Sequence, residues 1–144
     1  MSKIQEYLEF KKAQEQEVND FPIAYAFSEK QFEEALEQLG ATKEEVVTVF
    51  GHGDVVKKED ASKFIDMLVR HSQELKDKLL EDKEFAAAAF RYEMDNHEYA
   101  INWDGDDDVL RCFGLKYDEL TELGLKAAYM TARKGHMDYA KEWM

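Results

Sequence analysis

The sequence predicts a mainly α-helical fold, α+β with one small β-hairpin. Three observations carry this. Apolar residues recur at three- and four-residue spacing through most of the chain. Helix start and stop residues bracket these segments, as at Ser28, Gly40 and Asp60. Runs rich in β-branched residues are confined to one short region around residues 46–56. The 144 residues, 44% of them hydrophobic, suffice for one core, so a compact single domain over residues 1–144 is expected, with a central buried helix.

Residues 2–17 read as a helix with Ile4, Tyr7, Leu8 and Lys11 on one side. Asn19-Asp20 and the sole proline, Pro22, end it. Residues 21–27, FPIAYAF, form a strand or an extended buried segment. Ser28 with Gln31 makes a capping box for a second helix. Its buried stripe is Phe32, Ala35, Leu36 and Leu39, and Gly40 stops it. Thr42 with Glu45 repeats the capping pattern for a short turn. Residues 46–50 and Val55-Val56 are the two strands of the hairpin, joined by the Gly51-His52-Gly53-Asp54 turn. His52 and Asp54 are ligand-binding candidates there, against the plain alternative of turn residues. The turn is no phosphate loop, because no Gly-Lys-Ser/Thr follows and its surroundings are acidic.

Asp60 caps a long helix to about Leu80 with Phe64, Leu68, His71, Leu75 and Leu79 on its apolar face. The stretch Glu84 to Ile101 is the central helix. Phe85, Ala89, Tyr92, Asn96 and Tyr99 fall within roughly 80° of one another, and Phe90, Met94, His97 and Ile101 form a second stripe about 150° away. Two apolar sides imply burial on two sides. Glu93, Asn96 and His97 would then be buried polar groups, which need partners. They are the leading ligand-binding candidates, against a purely structural role. His71 and Glu74 are three apart, and Glu93 and His97 four apart. A metal site from two adjacent helices is conceivable on that count, but the Glu-x-x-His order of bundle sites is not reproduced.

The run Asn102-Trp103-Asp104-Gly105 and the three aspartates after it fails the EF-hand pattern, since no glutamate stands at the twelfth position. It reads as a surface loop whose aspartates favour the next helix N-terminus. That helix covers residues 109–113 and ends at Gly114. Another short helix spans residues 118–123, and two more, broken at Gly135, fill residues 125–144. The last segment is locally basic and carries Tyr139 and Trp143. Cys112, in VLRCFGL, reads as a small core residue.

Acidic residues outnumber basic ones in both halves, and the net charge is −13. That disfavours nucleic acid and anionic membrane as partners. One cysteine leaves no internal disulfide and suits a reducing, cytoplasmic setting. No apolar run has the length of a membrane span, and no signal peptide is evident. No motif calls for a cofactor, and no hydrolase, zincin or paired-cysteine signature is present.

The stretches AYAFSEKQFEEALEQLG, FGHGDVVKKED and RYEMDNHEYAINWDGDDDVLRCFGL resemble small acidic proteins of unknown function from gut-type bacteria, their phages and mobile elements. The resemblance covers residues 20–115 and implies no catalytic residues. It implies a cytoplasmic accessory protein. The expected function is therefore non-enzymatic protein interaction, of accessory or anti-defence type. The alternative is a small-ligand or metal binder, or an enzyme, using a Glu93/His97-centred cluster. Self-association through the C-terminal segment is a third reading.

Overall fold

A computed structural model describes residues 1–144. The fold is mainly α, with six α-helices and one small antiparallel sheet. The residues group into two compact units, one of residues 1–11 and 72–144, the other of residues 12–71. Helices α1 (Lys3–Asp20) and α3 (Lys58–Glu81) contribute residues to both.

The smaller unit holds the sheet. Strands β1 (Ile23–Tyr25), β2 (Val46–Val47) and β3 (Asp54–Lys57) lie in the order β1-β3-β2. The expected hairpin is present as β2 and β3, with Val47 opposite Val56. The aromatic run 21–27 adds a third strand, Ala24 opposite Val55. Its successive residues point to opposite faces, Ala24 packing with Val55 and Ala35 on one and Ile23 with Val56 and Phe64 on the other. Gly53 has positive φ, and a Cβ there would meet Phe27 Cε1 at 2.5 Å, so the turn into β3 needs glycine. Helix α2 (Glu29–Leu39) follows its sequence signals closely. Ser28 Oγ accepts from Gln31 N–H at 3.2 Å, and Gly40 is left-handed, its N–H donating to Glu37 O. Asp60 does not cap α3. The helix starts at Lys58 directly after β3, which places Asp60 in its first turn instead.

The larger unit is helical. Helix α4 (Lys83–Asn96) is capped by Asp82, whose carboxylate accepts from Phe85 N–H at 3.0 Å. Its buried residues are Phe85, Ala86, Ala89, Phe90, Glu93 and Met94. At about 100° per residue these form one continuous face of about half the circumference, not two opposed stripes. Tyr7, Phe113 and Tyr129 pack around it, with Phe90 5.0 Å from Phe113 and 5.3 Å from Tyr129 between ring centroids. Full burial of Phe85, Phe90 and Met94 contributes about 1.5–3 kcal/mol each.

Four expectations for this half are corrected. The central helix ends at Asn96, five residues early, because the chain turns through His97 and Glu98, the latter at φ 51°. Helix α5 spans Gly105–Arg111 and begins earlier than expected, with Asp106, Asp107 and Asp108 in its first turn, where negative charge is favourable. Only a single 3-10 turn, Tyr117–Glu119, occupies the region expected to be helical at 118–123. Helix α6 (Lys126–Ala140) runs unbroken through Gly135. Glycine serves close approach there: a Cβ would lie 2.6 Å from Arg91 Nη1 on α4.

Because Gly135 is helical, Gly135→Ala should raise stability. Helix propensity gains up to about 1 kcal/mol. Displacing Arg91 from its exposed pair with Asp95 returns about 0.3–0.5 kcal/mol of that. Urea unfolding should show a net gain of about 0.5 kcal/mol; a glycine that ended one helix would give a loss.

Candidate functional site

Glu93 is the site's centre. It sits on the inner face of α4 and is 1% exposed. One oxygen, Oε2, accepts from Tyr7 Oη–H at 2.7 Å and from Lys11 Nζ at 3.0 Å. Tyr7 and Lys11 are four apart on α1, so one helical face delivers both. Lys11 also lies 5.4 Å and 5.6 Å from the ring centroids of Tyr7 and Tyr92. The other oxygen, Oε1, is buried without a hydrogen-bond partner.

His97 and Cys112 complete the cluster. His97 closes α4, its N–H donating to Glu93 O at 2.9 Å. Its Nε2 lies 3.5 Å from Cys112 Sγ. Cys112 closes α5, and its thiol also approaches Asp108 O at 3.5 Å. A carboxylate oxygen of Glu93, a ring nitrogen of His97 and the sulfur of Cys112 all lie within 4.8 Å of one another. Desolvation and then the charge of Glu93 push the Cys112 thiol pKa up, with Lys11 pulling it down. A nucleophilic cysteine is activated by the opposite shift. Oxygen, nitrogen and sulfur together are a donor set of the kind that holds zinc.

Residues 98–111 form the loop and helix between His97 and Cys112, and polar contacts pin them. Asn102 Nδ2 donates to His97 O at 3.2 Å and to Asp108 Oδ2 at 2.9 Å. Asp106 Oδ1 accepts from Tyr99 Oη–H at 2.6 Å and from Tyr129 Oη–H at 2.5 Å. Burial first, then these bonds to the carboxylate, raise both phenol pKa values, that of Tyr99 to about 12. His136, 1% exposed, accepts from Ala100 N–H through Nε2 at 3.0 Å and contacts Asp95 Oδ1 through Nδ1 at 2.7 Å. That pairing places the ring proton on Nδ1. At the tip Trp103 is fully exposed beside Ile101, with Asp104 and Asp107 exposed around it.

The structure sorts the residues expected at a site. Glu93 and His97 come together. Asn96 is exposed, because it is the last residue of α4 and lies past the stretch of its stripe that Phe85 and Ala89 bury. Cys112 is exposed, not a core residue, because at helical spacing it falls outside the face that Val109, Leu110 and Phe113 bury. His71 is a satisfied buried histidine of the smaller unit, its Nε2 2.9 Å from Glu17 Oε1. His71 and Glu74 do not join Glu93 and His97; the three-donor group contains Cys112 instead. Asp54 is a structural hub. It is buried and accepts from Thr48 Oγ1–H and from the N–H groups of Val49, Phe50 and His52. His52 is exposed beside it, contributing only its N–H. Sequence reasoning missed Tyr7, Lys11, Cys112 and His136. Lys11 in the stripe of Tyr7 was the available signal, a cation on an apolar face that calls for a buried anion.

A mainly helical protein with a carboxylate–imidazole–thiol cluster at the base of an exposed loop is thus defined. The chain belongs to a family of unknown function, DUF7659, whose model matches residues 6–134. No curated protein and no solved structure matches it. No helix is long and apolar enough to cross a membrane.

Burial pushes the Asp54 carboxyl up, but the bonds from Val49, Thr48, Phe50 and His52 outweigh it and hold its pKa below the usual range. Its stabilisation is therefore present above its unfolded pKa and lost as pH falls through the folded value. Asp54→Ala strands several donors and should cost about 2–4 kcal/mol at pH 7. Asp54→Asn should reduce the loss of stability that urea titrations show below roughly pH 4.

Burial and the Glu93 contact raise the Tyr7 phenol pKa well above its ordinary value. With Tyr99 and Tyr129, three of the seven tyrosines should stay protonated at pH 11 while the protein is folded. Tyrosinate absorbance checks this, and Tyr7→Phe should remove one of the three resistant groups.

Proposed function

We propose that the chain is a non-enzymatic interaction protein that binds another protein through the loop carrying Trp103. The supporting observation is the complete exposure of Trp103. Tryptophan offers the largest apolar area of any side chain, and it is over-represented among residues that dominate binding energy. The bonds of Asn102 and Asp106 hold the loop in one shape, so binding loses little conformational freedom. Exposed Asp104 and Asp107, with a net charge of −13, favour a partner whose apolar pocket is rimmed by lysine or arginine. The same charge argues against nucleic acid. The resemblance of residues 20–115 extends the reading to a cytoplasmic accessory protein of a mobile element, of anti-defence type. A small-ligand or metal-binding reading is favoured by one separate observation, the partnerless oxygen of Glu93.

The test is tagged expression in the source organism with wild type and Trp103→Ala compared. A protein retained stoichiometrically by wild type should fall at least about tenfold with Trp103→Ala. Equal retention by both, or no retained protein, overturns the proposal.

A further inference from the structure

We propose that Glu93, His97 and Cys112 bind one divalent transition-metal ion of the zinc class, which ties together the two ends of the loop that carries Trp103. Two independent observations lead there. The first is convergence. The three donor atoms lie within 4.8 Å of one another, although their residues come from the body of α4, its end and the end of α5. Zinc bonds of about 2.0–2.3 Å in tetrahedral geometry put neighbouring ligand atoms about 3.3–3.8 Å apart. His97 Nε2 and Cys112 Sγ are already 3.5 Å apart. Closing the carboxylate onto the same point takes a small movement.

The second observation is an unmet need. Glu93 is 1% exposed, and its Oε1 has no hydrogen-bond partner. A buried carboxylate oxygen left unpaired is costly and calls for an explanation. The hydrogen bonds from Tyr7 and Lys11 both reach Oε2. Tyr7 and Lys11 fix that oxygen at 2.7 Å and 3.0 Å, as outer partners orient a ligating carboxylate. This leaves Oε1 for a single bond to a metal.

The donor types select the ion. Imidazole nitrogen and thiolate sulfur exclude calcium and magnesium, which take oxygen ligands. Zinc and its neighbours accept all three donors. One carboxylate and one thiolate neutralise a dication. Three protein ligands leave a fourth position for water or a partner's side chain. Cys112 is exposed, so an ion has a route in. Binding replaces the S–H bond of Cys112 by a sulfur–metal bond and releases the proton to solvent.

The structural consequence follows from chain order. His97 and Cys112 are fifteen residues apart and flank the Trp103 loop. A shared ion would staple the loop at its base, adding to the hydrogen bonds of Asn102 and Asp108. The inference does not depend on Trp103 having a partner.

The test uses the full untagged chain, stripped with chelator under reducing conditions and titrated with cobalt(II). One equivalent should give a thiolate-to-cobalt charge-transfer band and intense visible bands of a four-coordinate ion. Zinc should abolish both at stoichiometric amounts, while excess magnesium should not. Cys112→Ser should lose the charge-transfer band, and His97→Asn should weaken cobalt binding at least about tenfold. Both residues lie outside the buried core, and circular dichroism should be unchanged in each variant. Absence of the band in wild type overturns the inference. So does a band that survives in Cys112→Ser, or cobalt affinity unaffected by His97→Asn.

Discussion

The larger unit depends on how a single carboxylate is accommodated inside an aromatic core. Glu93 stands on the same face of α4 as Phe85, Ala89 and Phe90, where a charge without partners is not tolerated. The first helix meets this need by placing Tyr7 and Lys11 one turn apart, both reaching Oε2. Tyr7 then also serves the core, lying 5.9 Å from Phe85 and 5.8 Å from Phe113 between ring centroids. One residue thus combines hydrophobic packing with anion binding. Near the start of α1, Lys3 pairs with Asp82, the cap of α4, at 2.7 Å. The N-terminal helix is therefore joined to α4 and its cap by apolar contact and by three hydrogen bonds.

The same device recurs at three other points where the chain enters or leaves regular structure. Asp54 gathers the amides of the turn between β2 and β3. Asp106 gathers two tyrosine hydroxyls at the start of α5. Asp82 caps α4 and accepts from Lys3. A strongly acidic chain would be expected to hold its carboxylates in water. Here several are turned inward as acceptors around which loops are ordered, each satisfied by several donors. Asp106 also takes both donors on one oxygen, but Glu93 departs from the others in that its second oxygen is fully buried and has no partner. The difference separates a structural hub from a site with remaining coordination capacity.

The C-terminal helix shows how packing overrides a local signal. Gly135 reads as a break, since glycine is a poor helix former. In the fold it is the point where α6 approaches the Arg91 side chain of α4, whose guanidinium would have to shift for any added Cβ. Arg91 then lies over the ring of Tyr139 at 5.7 Å. A glycine in sequence carries both meanings, and only the neighbouring helix distinguishes them. His136, the next residue, is likewise unreadable alone. Its role of receiving Ala100 N–H and facing Asp95 depends on elements 36 and 41 residues away.

By itself the sequence determined the features that rest on short-range physics. The mainly helical class, the limits of α2 with its Ser28 and Gly40 caps, and the β2–β3 hairpin all follow from residues within a turn or two of one another. The proximity of Glu93 and His97 was readable too, because four-residue spacing on a helix is a local relation. The tertiary structure alone decided where α4 stops, that the segment after Pro22 joins the sheet, and that Asn96 faces water while Cys112 meets His97. It also decided that Tyr7 and Lys11 serve Glu93. These are contacts between residues far apart in the chain. Periodicity shows that a face is buried but not what covers it, and at Glu93 the covering residues turn an isolated charge into a site.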